Sequence, residues 1–421
     1  MRIGVTGKIG SGKSSLSHAL AAELAPHGYA LFDVDALTGK LHQDPAFQQQ
    51  ALAIFGTLDR QSISRACFSD PVMRVALERA SLPGWAAMLR DGLAAPNLIV
   101  DFPLLMETQL AFPSIDLAIG VSAPDAMRQE RACARLGWEP GRFAAVDALQ
   151  VGQRAKMSFC DIEAPNGGNP RELAQLASRI ARGALDMDHI KDRIEPLVGA
   201  GAWRLVARAH MQTHRRYHGP AHLRSLFAAL DHIAPDLSDD ASCALAICYH
   251  DFVYETGSAY GDNELLSARS LSSHARDLFP HLLELDKDGA GFGTVALACA
   301  MVDATKGHRI LDPWILGSPE RLERARAVLD ADLSVLGSGS ESQFWDYDEG
   351  IGEEFSSVPR PAYHGLRAQA MSAFADTLAR PDLYLTTRAK AWEPTARRRL
   401  AELVDKHQRL AMPGANSESM Q

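Results

Sequence analysis

The sequence predicts two architectures in one chain: an α/β N-terminal half, a parallel sheet with helices on both faces, and an all-α C-terminal half. Three observations carry the prediction. Strand-like apolar runs at residues 2–6, 30–34, 97–101 and 117–122 alternate with helical stretches, the pattern of a sheet covered on both sides. Beyond residue 190 such runs thin out, and amphipathic periods at 240–250, 263–278, 293–304 and 320–332, separated by Gly, Pro and Asp, read as successive helices. Histidine usage changes at the same place: of fifteen, only His18, His27 and His42 precede residue 180. The expected division is a first domain at 1–182, a polar linker at 183–198, a helical domain at 199–411 and a disordered tail at 412–421.

Bulk properties narrow the function classes. At 421 residues the chain has length for two ordinary domains, and its 46% hydrophobic and 23% charged content is that of a soluble globular protein. No apolar run reaches the roughly 18 residues of a membrane span, and the N-terminus opens directly on a strand with no export signal, so a cytoplasmic protein without membrane partners is expected. Six cysteines without a C-x-x-C pair are expected as free thiols. A net charge of −9 weighs against a wide duplex-binding face and suits small phosphorylated substrates; oligomeric state is left open.

The first strand runs into Gly7-Lys-Ile-Gly-Ser-Gly-Lys-Ser14 and then an Ala/Leu-rich helix, the full G-x-x-x-x-G-K-[ST] phosphate-binding loop in strand-loop-helix context. Glycines let successive N–H groups turn inward on a phosphate, so Gly7, Gly10, Ser11, Gly12, Lys13, Ser14 and Ser15 are the expected nucleotide contacts. Lys13 would reach the β/γ oxygens and the Ser14 hydroxyl would ligate Mg²⁺. The next strand ends in Phe32-Asp33-Val34-Asp35, placing acids at the carboxyl end of a parallel strand, where such sheets bind ligands. Asp33 is expected to orient or deprotonate an acceptor hydroxyl, or else to cap the next helix; Asp35 is expected to support Mg²⁺ or the loop. Leu98-Ile-Val-Asp101 leads into Phe102-Pro-Leu-Leu-Met-Glu107, whose acids are expected at the same rim.

Together these segments resemble the dephospho-CoA kinase family of P-loop kinases. The likeness spans most of 1–182 and rests on Val5-Thr-Gly-Lys-Ile-Gly-Ser-Gly-Lys-Ser14, Asp33-Val-Asp35, Phe55-Gly-Thr-Leu-Asp-Arg60, Phe68-Ser-Asp-Pro71, Pro103-Leu-Leu-Met-Glu107, Gln153, Lys156, Cys160-Asp161 and Asn166-Gly167. It implies a P-loop NTPase-type fold, ATP with Mg²⁺, transfer of the γ-phosphate to the 3′-hydroxyl of dephospho-CoA, and Asp35 and Glu107 on the substrate side. It also implies that Arg131 and Arg135 belong to a lid closing on phosphates; on spacing alone they also fit a solvated helix face. Three positions depart from the family: Lys8 stands for its second loop glycine, Gly39 for an Arg, and Leu82-Pro83 for its His-Pro. The departures fall on the acceptor side.

In the C-terminal half, Arg216-Tyr-His218-Gly-Pro-Ala-His222 sets two imidazoles four residues apart, His250-Asp251 closes an apolar helix, and Asp332 follows in Asp330-Ala-Asp-Leu-Ser-Val-Leu-Gly337. Such a mixed N/O set suits a divalent transition metal with open positions for water and phosphate oxygens. The region 199–410 resembles the HD superfamily of metal-dependent phosphohydrolases, on these segments together with His250-Asp-Phe-Val-Tyr254, Asn263-Glu264, Ser267 and Ala304-Thr-Lys-Gly-His308. The resemblance implies His222, His250, Asp251 and Asp332 as ligands of Mn, Fe, Co, Ni or Zn, and His218 as an outer acid or phosphate contact. Glu264 is a candidate to orient water, and Lys306 with His308 to hold substrate phosphate. Ile351-Gly352-Glu-Glu354-Phe355 lacks the Arg this group usually carries there. The whole reads as a bifunctional kinase and phosphohydrolase acting on small phosphorylated molecules. Alternatives are a kinase–phosphatase of nucleic-acid ends, and a hydrolase governed by a nucleotide-sensing P-loop module.

Overall fold

The computed structural model describes residues 1–108, 114–283, 293–376 and 380–412, which separate into two compact units, Met1–Arg182 and Gly183–Gln421. Most of the expected tail, 413–421, lies outside the described residues.

Unit 1 begins with β1 (Arg2–Gly7), α1 (Lys13–Leu24) and β2 (Ala30–Asp33). Four helices follow, α2 (Leu37–Leu41), α3 (Pro45–Phe55), α4 (Arg60–Ser69) and α5 (Pro71–Gly92), the last three started by Asp44, Asp59 and Asp70 accepting N–H groups of the first turn. Then come β3 (Leu98–Asp101), α6 (Leu105–Thr108), β4 (Leu117–Ser122), α7 (Asp125–Leu136), α8 (Pro140–Leu149), α9 (Gln153–Ser158) and β5 (Ile162–Pro165). All pairings are parallel, in the order β2-β3-β1-β4-β5, with Ile3 opposite Ile99 on one side and Leu117 on the other. Strands β3 and β4 are buried at every residue, as a sheet covered on both faces requires, and Leu16, Leu20 and Leu24 of α1 join the same core. β5 escaped the sequence reading because it is a four-residue edge strand in which only Ile162 and Ala164 point inward.

Unit 2 is helical. The stretch 183–198, expected as a linker, is part of α10 (Pro170–His210), and its Ala184, Met187, Ile190, Ile194 and Val198 are all buried in unit 2. Apolar residues every three or four positions make a core face, which the intervening charged residues conceal in composition. Gly199, at φ 77°, interrupts the helical dihedral angles of α10. The remaining helices are α11 (Pro220–Ile233), α12 (Ala241–Tyr249), α13 (Asp262–Leu278), α14 (Thr294–Thr305), α15 (Pro313–Leu316), α16 (Pro319–Asp332), α17 (Ser334–Gly337), α18 (Glu341–Glu354), α19 (Arg360–Ala375) and α20 (Glu393–Ala411). α12 is buried from Ser242 to Tyr249 and packs against α13, α14 and α16, so it is the centre of the bundle. Its two cysteines, Cys243 and Cys248, are buried, the other four are part-exposed, and none of the six forms a disulfide. No helix among the described residues is long and apolar enough to cross a membrane.

One buried carboxylate sets the position of α16. Asp330, fully buried, accepts the N–H of Leu385 at 2.8 Å and of Thr386 at 2.7 Å, while Glu393 takes the N–H groups of Leu383 and Tyr384. Asp330→Ala would leave two partly buried amides unmatched, and the expected cost is about 2 kcal/mol. Urea unfolding of the full chain checks this; a loss within error would mean that the segment is held by other contacts.

Candidate functional site

Two centres emerge, one in each unit. The first lies at the carboxyl edge of the sheet, in a cavity of 680 Å³ lined by Gly7, Gly10, Ser11, Gly12, Lys13, Ser14, Ser15, Asp35, Arg131, Arg135 and Asn166 among others. Gly10 (φ 77°) and Gly12 (φ 94°) take left-handed backbone that other residues reach only with strain, and a Cβ on Gly10 would collide with the Arg128 carbonyl. The turn therefore folds its amides toward the start of α1. The Ser11 hydroxyl is buried there without a partner among the described residues. A loop of this conformation in a cavity of this size fits a nucleotide phosphate chain.

Lys13, nearly buried, bonds the Asp101 carboxylate at the end of β3, with Asp35 4.0 Å away. Asp101 was seen in the sequence as one more acid at the rim; only the β1–β3 pairing sets it against Lys13. Arg131 reaches the Gly10 carbonyl at 3.5 Å and Asn166 at 3.4 Å, and Asn166 in turn donates to the Ser11 carbonyl at 2.8 Å. Asp33, expected as an acid–base group, does not line the cavity. Its Oδ1 accepts the N–H of Asp35 at 2.9 Å and of Ala36 at 3.4 Å, because the turn after β2 leaves those amides without strand partners. Glu107, expected on the substrate side, is also outside the cavity. It is held by the wholly buried Lys156 at 2.8 Å and accepts the Val151 N–H at 3.2 Å, since an ammonium removed from water requires a counter-charge.

Lys8 has a partner that its position in the loop did not reveal. Its Nζ is 2.8 Å from Asp147 of α8, which also binds Arg128 of α7 at 2.5 Å; Arg128 continues to Asp125 at 2.8 Å and to the Ile9 carbonyl at 3.2 Å. Burial works against both charges, but their mutual hydrogen bonds hold the Asp147 carboxyl below its ordinary range and the Arg128 guanidinium above its own. Gln150 adds a bond to the Ile9 N–H at 2.9 Å. The loop is thus fastened to the helix pair whose α7 carries Arg131 and Arg135.

The second centre gathers side chains from distant segments of unit 2. Pro220 starts α11 and puts His222 in its first turn; His250 caps α12 with Asp251 directly after; Asp332 ends α16. The Nε2 atoms of His222 and His250 lie 3.2 Å apart, Asp332 Oδ1 is 3.4 and 3.5 Å from them, and Asp251 Oδ2 is 3.9 and 2.9 Å from them. The donor atoms of His222, His250 and Asp251 all lie within 4.8 Å of one another, as atoms that share one divalent cation must, and Asp332 Oδ1 borders the two imidazoles. His250 gives its Nδ1–H to the Ile247 carbonyl at 2.8 Å, which leaves Nε2 as the donor atom facing the cluster. Burial alone would lower the His250 pKa, yet Asp251 and Asp332 lift it to about 9, and both carboxyls are held well below their ordinary range by the imidazoles despite their own burial. The field at the cluster favours positive charge.

His218 sits in the turn before α11 with Nδ1 2.8 Å from Glu354 and Nε2 3.8 Å from Asp251. Glu354, to which the sequence reading gave no role while noting a missing Arg beside it, is buried next to this centre. It accepts the N–H groups of Arg216, Tyr217 and His218 and the Tyr254 hydroxyl, and against the effect of burial these bonds hold its pKa at about 2. A cavity of 270 Å³ opens on this centre, lined in part by His218, Glu264, His308 and Asp332. His308, expected to grip phosphate, instead bonds Asp332 Oδ2 at 2.8 Å from a left-handed backbone of φ 53°. Lys306 does not line the cavity and lies over the Tyr260 ring at 5.1 Å, where its charge finds a π face.

The loop-to-helix bonding of unit 1 generates one prediction. Lys8→Gly removes one partly buried ion pair and is expected to weaken Mg-ATP binding about 5-fold. Asp147→Ala is expected to weaken it further, because two cations lose their partner. Calorimetric titration of both variants checks the order; equal affinity in all three proteins would separate the loop from α7 and α8.

Comparison with known proteins agrees with the geometry of unit 1. Residues 1–172 match the family model described as dephospho-CoA kinase. The chain is 32% identical over 191 residues to the dephospho-CoA kinase of Xanthomonas campestris pv. campestris, a match covering 42% of this chain and 90% of that protein. It is 31% identical over 185 residues to the dephospho-CoA kinase of Thermus thermophilus, covering 42% and 89%. The crystal structure of TT1252 from Thermus thermophilus matches at 30% identity with a TM-score of 0.36, covering 41% of this chain and 92% of that one. By its N-terminal unit, with the glycine loop and Lys13 at the edge of a parallel sheet, the chain belongs to the dephospho-CoA kinase family.

Proposed function

We propose that the chain is a bifunctional enzyme, in which unit 1 moves the γ-phosphate of ATP to a hydroxyl of dephospho-CoA and unit 2 is an HD-type metal-dependent phosphohydrolase. Family membership and the loop around Lys13 support the first activity. In that reaction the loop amides and Lys13 hold the triphosphate, Ser14 offers its hydroxyl to Mg²⁺, and Arg131 and Arg135 meet the charge on the transferring group. The acceptor oxygen bonds to the γ-phosphorus as the bond to the β-phosphate oxygen breaks, and ADP leaves. Asp35, on the cavity wall, is the carboxylate available to the acceptor proton or to Mg²⁺. The departures at Gly39 and Leu82 fall on the acceptor side of the family pattern. Space around Gly39 is open, with no atom within 4 Å of a built Cβ, so the change there is of charge rather than of room.

The observation carrying the second activity is the cluster of His222, His250 and Asp251, whose donor atoms lie within 4.8 Å of one another, with Asp332 Oδ1 3.4 and 3.5 Å from the two imidazoles. Those four would hold the ion; when bound, it supplies Lewis-acid polarisation of a phosphate oxygen and of water. The protein's own groups supply the rest. Glu354 keeps His218 oriented, so that Nε2 faces the centre and can pass a proton to the leaving oxygen. Glu264, on the cavity wall, is placed to take a proton from the attacking water. His308 braces Asp332 through the carboxylate oxygen that does not face the imidazoles.

Separate variants test the two halves. Lys13→Ala is expected to lower phosphoryl transfer to dephospho-CoA by about 10³-fold or more while metal-dependent hydrolysis persists. Asp251→Ala is expected to abolish both metal uptake, read by elemental analysis, and hydrolysis, while sparing transfer. Parallel loss of both activities in either variant would refute independent centres. Glu354→Gln is expected to retain metal and lose about 10–100-fold in turnover, and unaltered turnover would remove His218 from the reaction.

A further inference from the structure

The cavity of the second centre also carries information about what enters it. At 270 Å³ it lies at the small end of ligand sites. His250, Asp251, His308 and Asp332 line it together with a mixed wall, in which Leu333, Leu336, Met371 and Phe374 are apolar and His218, Asn263, Glu264 and Thr305 are polar. Among the described residues lining it there is no Lys or Arg, whereas Asp251, Asp332 and Glu264 contribute three carboxylates.

The cations packed behind this wall are not among its lining residues, although Arg367 and Arg380 each keep one buried guanidinium nitrogen without a hydrogen-bond partner among the described residues. Arg215 donates to the carbonyls of His218, Asp251 and Phe252 at 3.2, 2.6 and 2.9 Å. Arg367 lies over the Tyr347 ring at 5.0 Å and contacts Asp348 at 3.4 Å; Arg380 stacks on Phe374 at 4.5 Å and donates to the Gly307 carbonyl. Among the described residues lining the cavity, positive charge can come only from the imidazoles of His218, His250 and His308. A second or third phosphate would lie against carboxylates or apolar side chains with no counter-charge, and burying it there is costly.

Resting on the reading of this centre as a metal-dependent phosphohydrolase, the geometry points to a substrate with one phosphate on a compact apolar or aromatic group, and to rejection of di- and triphosphates. Water adds to phosphorus while the P–O bond to the organic group breaks. The leaving oxygen takes up a proton to give the alcohol or phenol, and inorganic phosphate is the second product. The organic group occupies the wall formed by Leu336, Met371 and Phe374.

The test uses the full chain carrying Lys13→Ala, so that the kinase centre is silent, loaded with Mn²⁺ and supplied with phenyl phosphate, dATP or inorganic tripolyphosphate. The expected kcat/KM for phenyl phosphate exceeds those for the two polyphosphates by about 100-fold or more. Phe374→Lys, which adds a cation to the wall, is expected to narrow that ratio about 10-fold with Mn²⁺ uptake preserved. Preferential hydrolysis of dATP or tripolyphosphate by a protein that binds Mn²⁺ would overturn the substrate class and leave the phosphohydrolase reading standing. Absence of Mn²⁺ uptake together with no hydrolysis of any probe would overturn that reading, and the substrate class with it.

Discussion

Lys13, Lys156, Asp101, Asp330 and Glu354 are each less than a tenth exposed, and each is met at close range by an opposite charge or by backbone amides. That matching is the constraint on which both units depend. A charge removed from water costs several kcal/mol unless its bonds are replaced, so every such group dictates where another segment must run. Lys13 requires the end of β3 beside the glycine loop, Lys156 requires Glu107 beneath the Pro103 turn, and Asp330 requires the amides of 385 and 386 over α16. The sites are consequences of this bookkeeping as much as of their own chemistry.

The two centres are built in different ways. In unit 1 the contacts come mainly from the backbone of one short segment, whose shape follows from two left-handed glycines and a helix start. In unit 2 they come from side chains on separate helices, and their spacing depends on how α11, α12 and α16 pack. A backbone cradle tolerates change in its surroundings, whereas a side-chain cluster is only as accurate as the helices beneath it. The outer bonds of the second centre, Glu354 to His218, Ile247 to His250 and His308 to Asp332, supply that accuracy.

Reading ahead of the structure succeeded where the signal is local. β1 to β4 are apolar runs bounded by turns, and the four helices read in the C-terminal half are bounded by Gly, Pro, Asp and Ser breaks, so each was found within a residue or two of its observed ends. It failed at β5, four residues long with only two facing inward, and at 183–198, where charged residues mask five buried ones on a helix face. Asp33 and Glu107 show the same limit in the sites. A carboxylate at a strand end or after a Pro turn has the same local appearance whether it faces substrate, caps a turn or neutralises a lysine, and the partner decides.

Sequence alone determined the phosphate loop, the change of architecture near residue 180 and the residue types of a histidine–aspartate centre, because each depends on neighbours a few positions apart. Tertiary structure decided which acid Lys13 meets, that Lys8 bonds to α8, that Glu354 bonds His218, and that the described residues lining the second cavity include no Lys or Arg. Those facts join residues from about 90 to nearly 140 positions apart. Contacts at such separation are set by packing and by the matching of buried charge, and no local pattern encodes them.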